Sequence, residues 1–174
     1  MNRVNPDDVA KWFCNQGIIE KPNSKEGNMK VQKLLFFAQL IYMAKNNGET
    51  MFNNEFSAFE NGVVLEKVMK EYHNDYKKYF DSNKEIPNDI INVLTLTTEI
   101  FGDSSAQELS ELSHQFDAWK NYFKRSKNES GRYNKKLAII PYNELKKELY
   151  KIQEVLDAYK QTQEFPDDGV EDYW

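Results

Sequence analysis

Cysteine is almost absent from this chain, since Cys14 is the only one among 174 residues. One cysteine excludes an internal disulfide and indicates a reducing compartment. We also expect no secretory signal, because Pro6, Asp7 and Asp8 lie where its apolar core would be needed. We therefore expect a cytoplasmic protein without covalent cross-links, and its length suits one domain.

No apolar run reaches the ~20 residues that a membrane-spanning helix requires. The longest, Leu34–Ala44, has one polar residue, Gln39. A helix that is apolar on every side must be surrounded by protein. We therefore expect a buried central helix over about Lys30–Asn47 and no membrane partner. We expect water around the polar residues at both ends of the run, which are Lys30, Gln32, Lys33, Lys45, Asn46 and Asn47.

Sequence motifs for catalysis and metal binding are missing as well. The chain has no glycine-rich phosphate loop, no H-E-x-x-H zinc motif and no pair of cysteines. Its two histidines, His73 and His114, lie far apart, and His114 near a predicted helix end is typical of a capping residue. Cys14 follows Phe13 on a predicted helix, which favours a buried thiol. We expect no catalytic residue, no metal, no cofactor and no enzymatic activity.

Charge is distributed unevenly along the chain. The net charge of −5 argues against general nucleic-acid binding. Lys120–Lys136 nevertheless contains seven basic residues and one acid, interleaved with aromatic residues. This mixture suits either a solvated loop or contact with a phosphate backbone. Gln163–Trp174 contains five acids and no base, and its final Tyr173 and Trp174 are of the kind that anchors interfaces.

Hydrophobic periodicity and helix-end signals predict a mainly α protein. Helices are predicted to begin near Asn5, at the central run, after Gly62, and near Asn88, Ser105 and Pro141. Apolar residues in the last helix are spaced three and four apart, which predicts docking on the body of the protein. We predict a compact helical bundle around the buried central helix, with one domain over residues 1–162 and an acidic aromatic tail over 163–174.

A small β element interrupts the predicted helices. Phe56–Phe59 has the composition of a short strand, and the turn signal Asn61-Gly62 follows it. Leu137–Ile140 is a second strand-like segment. We predict that these two segments pair as a small two-stranded element.

Three sequence blocks together resemble a known family. They are KVQKLLFFAQ at Lys30–Gln39, AFENGVV at Ala58–Val64, and SAQELSELSHQFDAW at Ser105–Trp119, which contains an L-S-x-x-[ST]-H pattern and a following tryptophan. In this order they resemble the Panacea antitoxin domain, also described as SocA-like or GepA-like, which is common in phage-associated and bacterial toxin–antitoxin operons. The chain departs from the family at Val63, where proline is usual, and at Phe59-Glu60, where an aromatic–basic pair is common.

The resemblance implies an antitoxin that neutralises a cognate toxin by direct protein–protein binding, in a hetero-complex with it. Toxins of the family are diverse; many inhibit translation, and RelA/SpoT-like synthetases are among them. One branch of the family delivers its toxin to a protease, so a proteolytic adaptor is the first alternative. A nucleic-acid-binding regulator acting through Lys120–Lys136 is the second, and a cysteine- or histidine-dependent enzyme is the third.

An antitoxin needs rigid aromatic anchors and a charge that complements its toxin. Residues of this kind lie around the predicted turn, in the basic segment and in the acidic tail. The candidate partner-binding residues are Phe56, Phe59, Glu60, Asn61, Lys124, Arg125, Tyr133, Phe165, Asp167, Asp168, Tyr173 and Trp174.

Deleting Phe165–Trp174 should weaken toxin binding. A toxin that handles nucleotides or tRNA has a basic active-site cleft, which the acids and terminal aromatics of this tail would complement. Isothermal titration calorimetry with the full-length and shortened chains measures the change. Equal affinities would exclude the tail as a contact.

Overall fold

The computed structural model of the protein describes residues 3–81, 84–127 and 130–164. This part of the chain is mainly helical with one small antiparallel sheet, as the sequence predicts. Its helices are α1 Pro6–Cys14, α2 Lys25–Lys45, α3 Glu66–Asn74, α4 Lys78–Asp81, α5 Asn88–Phe101, α6 Ala106–Ser113, α7 Asp117–Ser126, α8 Tyr142–Lys146 and α9 Leu149–Glu164. Its strands are β1 Ser57–Phe59 and β2 Gly62–Val64.

Helix α2 is the centre of the fold. Its first turn is capped by Ser24, whose side chain accepts a hydrogen bond of 2.9 Å from the Gly27 amide. Every residue from Lys30 to Met43 is buried, and α1, α3, α5, α6 and α9 pack around the helix. The predicted buried central helix is confirmed, although it begins five residues earlier than expected.

The polar residues near the start of α2 are inside the protein, so their predicted placement in water is wrong. Lys30, Gln32 and Lys33 are 9%, 1% and 0% exposed. Because the helix begins at Lys25, these residues fall in its second and third turns, where neighbouring segments cover them. Each is bonded to backbone: Lys30 to the Gly102 carbonyl, Gln32 to the Leu65 amide and Lys33 to the Val63 carbonyl.

The two strands form a β-hairpin in which Ser57 pairs with Val64 and Phe59 pairs with Gly62. The second strand is therefore the segment after the turn and not Leu137–Ile140, whose first two residues belong to a 3-10 turn, Lys135–Ala138. The predicted pairing of Leu137–Ile140 with Phe56–Phe59 is present only in part. It consists of one antiparallel bridge, between Ser57 and Ile139, and a 2.9 Å hydrogen bond from the Ile140 amide to the Phe56 carbonyl.

Helix boundaries follow the local signals unevenly. Helix α5 begins at the predicted Asn88, and α6 begins after the predicted Ser105, which forms a capping box with Glu108. The predicted final helix is divided into α8 and α9, which continues to Glu164, two residues past the predicted domain boundary. Leu145 and Ile152 are 1% exposed, and α9 packs on α2, so the predicted docking is confirmed.

The division between α8 and α9 places Glu148 beneath the start of α7. Its carboxylate is buried and accepts hydrogen bonds from the amides of Asp117 (2.6 Å) and Ala118 (2.9 Å). These amides have no partner within their own helix. Lys151 pairs with the same carboxylate at 2.8 Å. Helix α7 is thereby capped by a residue about thirty positions further along the chain.

None of the helices in the described ranges is long and apolar enough to cross a membrane.

Gln39, the polar residue within the apolar run, fixes the segment that leads to β1. Its side-chain oxygen accepts from the Met51 amide at 2.9 Å, and its nitrogen donates to the Phe52 carbonyl at 2.7 Å and to the Tyr142 hydroxyl at 2.9 Å. The Met51 amide and the Phe52 carbonyl lie between α2 and β1, outside any helix or strand.

Gln39→Leu should destabilise the protein by about 2–4 kcal/mol, because it leaves a buried amide and a buried carbonyl without partners. Chemical denaturation measures the loss. Gln153→Leu is the matched control, since Gln153 is exposed and bonds only Asp157 on its own helix among the described residues; it should change stability by less than about 0.5 kcal/mol. Equal effects of the two substitutions would contradict the role of Gln39.

Candidate functional site

The turn of the hairpin, Phe59–Gly62, which we call the hairpin tip, is held by side chains from α6 and α7, and side chains from two further segments hold the flanking strands. Trp119 of α7 donates its indole N–H to the Phe59 carbonyl at 2.7 Å. The Ser110 hydroxyl of α6 donates to the Asn61 carbonyl. On the flanking strands, Lys33 donates to the Val63 carbonyl at 3.1 Å, and the Tyr133 hydroxyl donates to the Ala58 carbonyl at 3.2 Å.

Gly62 permits the close packing beneath the tip. Its φ of +111° is unfavourable for residues with a Cβ. A Cβ at this position would also overlap the Ser113 hydroxyl and come 2.7 Å from Cε of Lys33. The turn glycine is thus required both by its own backbone and by two buried side chains.

A stack of rings supports the tip from α6 and α7. The His114 ring lies 3.9 Å from Trp119 between centroids, at an interplanar angle of 24°, and Trp119 stacks on Phe123 at 5.1 Å and 10°. The Lys127 amine lies 4.5 Å above the Phe123 ring. Stacking fixes the indole plane, and therefore the direction of its N–H bond to Phe59.

His114 occupies the predicted C-terminal cap position of α6, and its ring stacks on Trp119. Burial lowers the pKa of His114, while the Glu60 backbone opposes the shift. Its Nε2 atom is buried without a hydrogen-bond partner in the described part of the chain. The ring supports the hairpin tip through Trp119, whose indole bonds the Phe59 carbonyl.

Lys33 is a fully buried amine beside the tip. Burial lowers its pKa from 10.5 to about 7. No carboxylate in the described ranges forms an ion pair with it, and its amine donates a hydrogen bond to the Val63 carbonyl. A buried charge without an acidic partner is energetically costly, so the neutral amine is favoured.

The candidate binding residues divide by burial. Phe56 is 0% exposed and packs against Phe36 and Phe52 in the core, so it does not belong to a binding surface. Its position is explained by the bond from the Ile140 amide to its carbonyl, which fixes this segment inside. The other described candidates reach the surface: Phe59 and Tyr133 with their rings 5.5 Å apart, and the exposed Glu60, Asn61, Lys124 and Arg125.

The remaining candidates lie in the acidic tail. Phe165, Asp167, Asp168, Tyr173 and Trp174 fall outside the described residues. Their proposed contact with a toxin stays a prediction from sequence.

Sequence reasoning missed two exposed apolar residues in the segment that bridges β1 at Ser57. Leu137 and Ile139 are each 40% exposed, and Tyr133, which bonds the Ala58 carbonyl of β1, is 37% exposed. The alternation of Leu137 and Ile139 with the buried Ala138 and Ile140 was a signal for a half-exposed segment. We call the exposed surface made by Phe59, Glu60, Asn61, Tyr133, Leu137 and Ile139 the hairpin face.

Cys14 is 3% exposed, and burial raises its pKa to about 12. The thiol is therefore held in its unreactive protonated form. Within the described residues, no group of three His, Cys, Asp or Glu side chains is arranged to hold a metal ion.

The buried amine of Lys33 makes stability depend on pH. Between its folded pKa of about 7 and its ordinary value near 10.5, the unfolded chain binds more protons, so the unfolding free energy rises with pH. The contribution approaches about 1.4 kcal/mol per pH unit. Denaturation of the wild type and of Lys33→Met at several pH values should show this slope in their difference. Parallel pH profiles would contradict the burial of an ionisable amine.

Apart from Tyr133, the residues that hold the hairpin come from the three blocks that carry the family resemblance. Lys33 lies in the first block, the tip in the second, and Ser110, Ser113, His114 and Trp119 in the third. The structure therefore gives a physical reason why these blocks occur together.

No curated protein and no solved structure matches the chain. A family model, SocA-like antitoxin with a Panacea domain, matches residues 31–120, about half of the chain. The matched range includes Lys33, the hairpin tip, Ser110 and Trp119. The chain belongs to the SocA-like antitoxin family, as a Panacea domain.

Proposed function

We propose that this protein neutralises a cognate toxin by binding it directly through the hairpin face. The observation that carries the proposal is the combination of a rigidly held turn with exposed side chains. The carbonyls of Phe59 and Asn61 accept hydrogen bonds from side chains of α7 and α6, respectively. Glu60 and Asn61 are themselves exposed.

Rigidity matters because ordering a loop on binding costs free energy. An isolated hairpin whose strands have only three residues each would be mobile in water. Here Trp119, Ser110 and His114 hold it before any partner arrives. A preorganised tip retains more of its contact energy as affinity, which is what an inhibitor of a lethal protein requires.

The hairpin face has an apolar centre and basic surroundings. Phe59, Tyr133, Leu137 and Ile139 provide the apolar part. Exposed Lys124, Arg125, Lys127, Lys135 and Lys136 lie on the adjoining segments. Such a surface complements a protein with an apolar patch and acidic borders, and the positive rim accelerates encounter with it.

The proposed role is binding and not catalysis. The buried, protonated thiol of Cys14 and the use of His114 as a structural ring support this part of the proposal. For the partner we propose a toxin that inhibits translation, which is the class that the family resemblance implies.

Expression of the protein encoded by the neighbouring reading frame, with and without this chain, tests the proposed function. Growth and protein synthesis should stop with the neighbour alone and recover when both are present. Toxin abundance distinguishes the two modes: masking leaves it unchanged, whereas delivery to a protease lowers it. Failure of this chain to restore growth would refute the antitoxin role.

Leu137→Asp and Ile139→Asp should each weaken toxin binding by about tenfold or more, because a charge replaces an apolar contact at the proposed centre. Calorimetry or surface plasmon resonance measures the affinity, and circular dichroism checks the fold. Tyr150→Asp is the matched control, since Tyr150 is 57% exposed and lies on α9, outside the hairpin face. Equal affinities for all three variants would place the interface elsewhere.

A further inference from the structure

A cleft of about 280 Å³ lies beside the hairpin tip. It is bounded by the first three turns of α2, by the hairpin and by α3. Met29, Met69 and Val64 supply apolar walls, and Phe59 and Glu60 of the tip lie at its border. Methionine side chains are flexible and adapt to the shape of an incoming group.

Lys33 lines this cleft and is its unusual feature. The side chain is 0% exposed, and it has no acidic partner among the described residues. A protonated lysine amine has three hydrogens to donate, and within the described residues the Lys33 amine donates one, to the Val63 carbonyl. The amine therefore has donor capacity left on a residue that lines the cleft.

The two buried side-chain amides that line the cleft, Asn28 and Gln32, already have hydrogen-bond partners. Asn28 donates to the Met69 carbonyl at 2.9 Å, and Gln32 donates to the Asn28 side-chain oxygen at 3.1 Å. The Gln32 oxygen accepts from the Leu65 amide. Beneath its rim the cleft thus offers apolar walls and one amine. This chemistry suits a short apolar stem that ends in a carboxylate.

We propose that the cleft receives the side-chain carboxylate of an Asp or Glu residue of the toxin, which forms an ion pair with Lys33. The inference rests on the proposed function, since it assigns a partner group to the surface beside the hairpin face. A side chain fits better than a chain terminus, because the backbone of a terminus would need further partners that Asn28 and Gln32 no longer offer.

Binding would then be coupled to protonation of the amine. In the free protein burial keeps the pKa of Lys33 at about 7, whereas a carboxylate partner raises it. The other charged or titratable groups around the amine are Lys25 on α2, Glu60 on the hairpin and His114 on α6, while α3 contributes Met69. Lys25 and Glu60 are exposed, so solvent screens their influence.

The first test measures toxin affinity and proton uptake. Above pH 7 the wild-type protein should take up close to one proton on binding, and its affinity should fall by about five- to tenfold per pH unit. Calorimetry in buffers of different ionisation enthalpy measures the uptake. Lys33→Met should lose about tenfold or more in affinity below pH 7 and show no linked proton from this site.

Lys30→Met is the matched control. Lys30 is a second buried lysine on α2, also with a pKa lowered chiefly by burial, but it bonds the Gly102 carbonyl on another side of the helix. This substitution should leave toxin affinity and proton uptake unchanged. A purely structural role of buried lysines on α2 would instead affect both variants alike.

The second test uses butyrate, which carries a carboxylate on a short apolar stem, and needs no toxin. The methyl resonances of Met29 and Met69 should shift saturably with butyrate, with a dissociation constant on the order of millimolar. Butanol, which lacks the charge, should not produce these shifts, and neither should butyrate with Lys33→Met.

Two results would overturn the inference. One is equal toxin affinity and equal proton uptake for the wild type and Lys33→Met. The other is the absence of saturable butyrate shifts in the wild type. Both leave the antitoxin role intact, because that role is tested separately by growth rescue. An Asp or Glu scan of the toxin, with Asn or Gln replacements, identifies the group that enters the cleft.

Discussion

The fold depends on the requirement that polar groups buried on α2 be bonded to protein. The helix carries an amine and two side-chain amides, from Lys33, Gln32 and Gln39, at positions that exclude water. An unbonded group at any of these positions would cost about 1–3 kcal/mol. Each one is bonded to the backbone of a short or irregular segment. Lys33 bonds the three-residue strand β2, Gln32 bonds Leu65 just after it, and Gln39 bonds Met51 and Phe52 ahead of β1. The helix therefore specifies the path of the chain from Met51 to Leu65.

The same requirement relates the core to the surface. Buried side chains of α2 fix the base of the hairpin, while α6 and α7 fix its tip through Ser110, His114 and Trp119. What remains exposed is a short run of side chains on a backbone that has almost no freedom left. Of the departures from the family pattern, Glu60 lies in this run and the half-buried Phe59 at its edge, whereas Val63 is buried.

Local signals in the sequence predicted those elements that local interactions determine. Helix α5 and the start of α6 could be located because the proline before α5, Gly102 and the Ser105 capping box act within a few residues. The burial of Lys33 and Gln32 could not be predicted in this way, because polar residues are expected to be exposed and the partners of these two lie about thirty residues away. The strand β2 was missed because three residues are too few to show a period. Of the candidate site, the residues at the turn were placed correctly at the surface, whereas Phe56 was not, because burial on either side of a short strand is decided by what packs against it.

Glu148 has a consequence for how this domain can be divided or recombined. The family match ends at residue 120, yet the carboxylate that caps α7 comes from residue 148. Helix α7 carries the indole that bonds the hairpin tip. A fragment ending near residue 120, or a chimera joined there to an unrelated sequence, would keep every motif that defines the family and lose the residue that orients one of them. The segment that must be kept together is therefore longer than the segment that the family model matches. Chimeras between members of this family should be joined after α9.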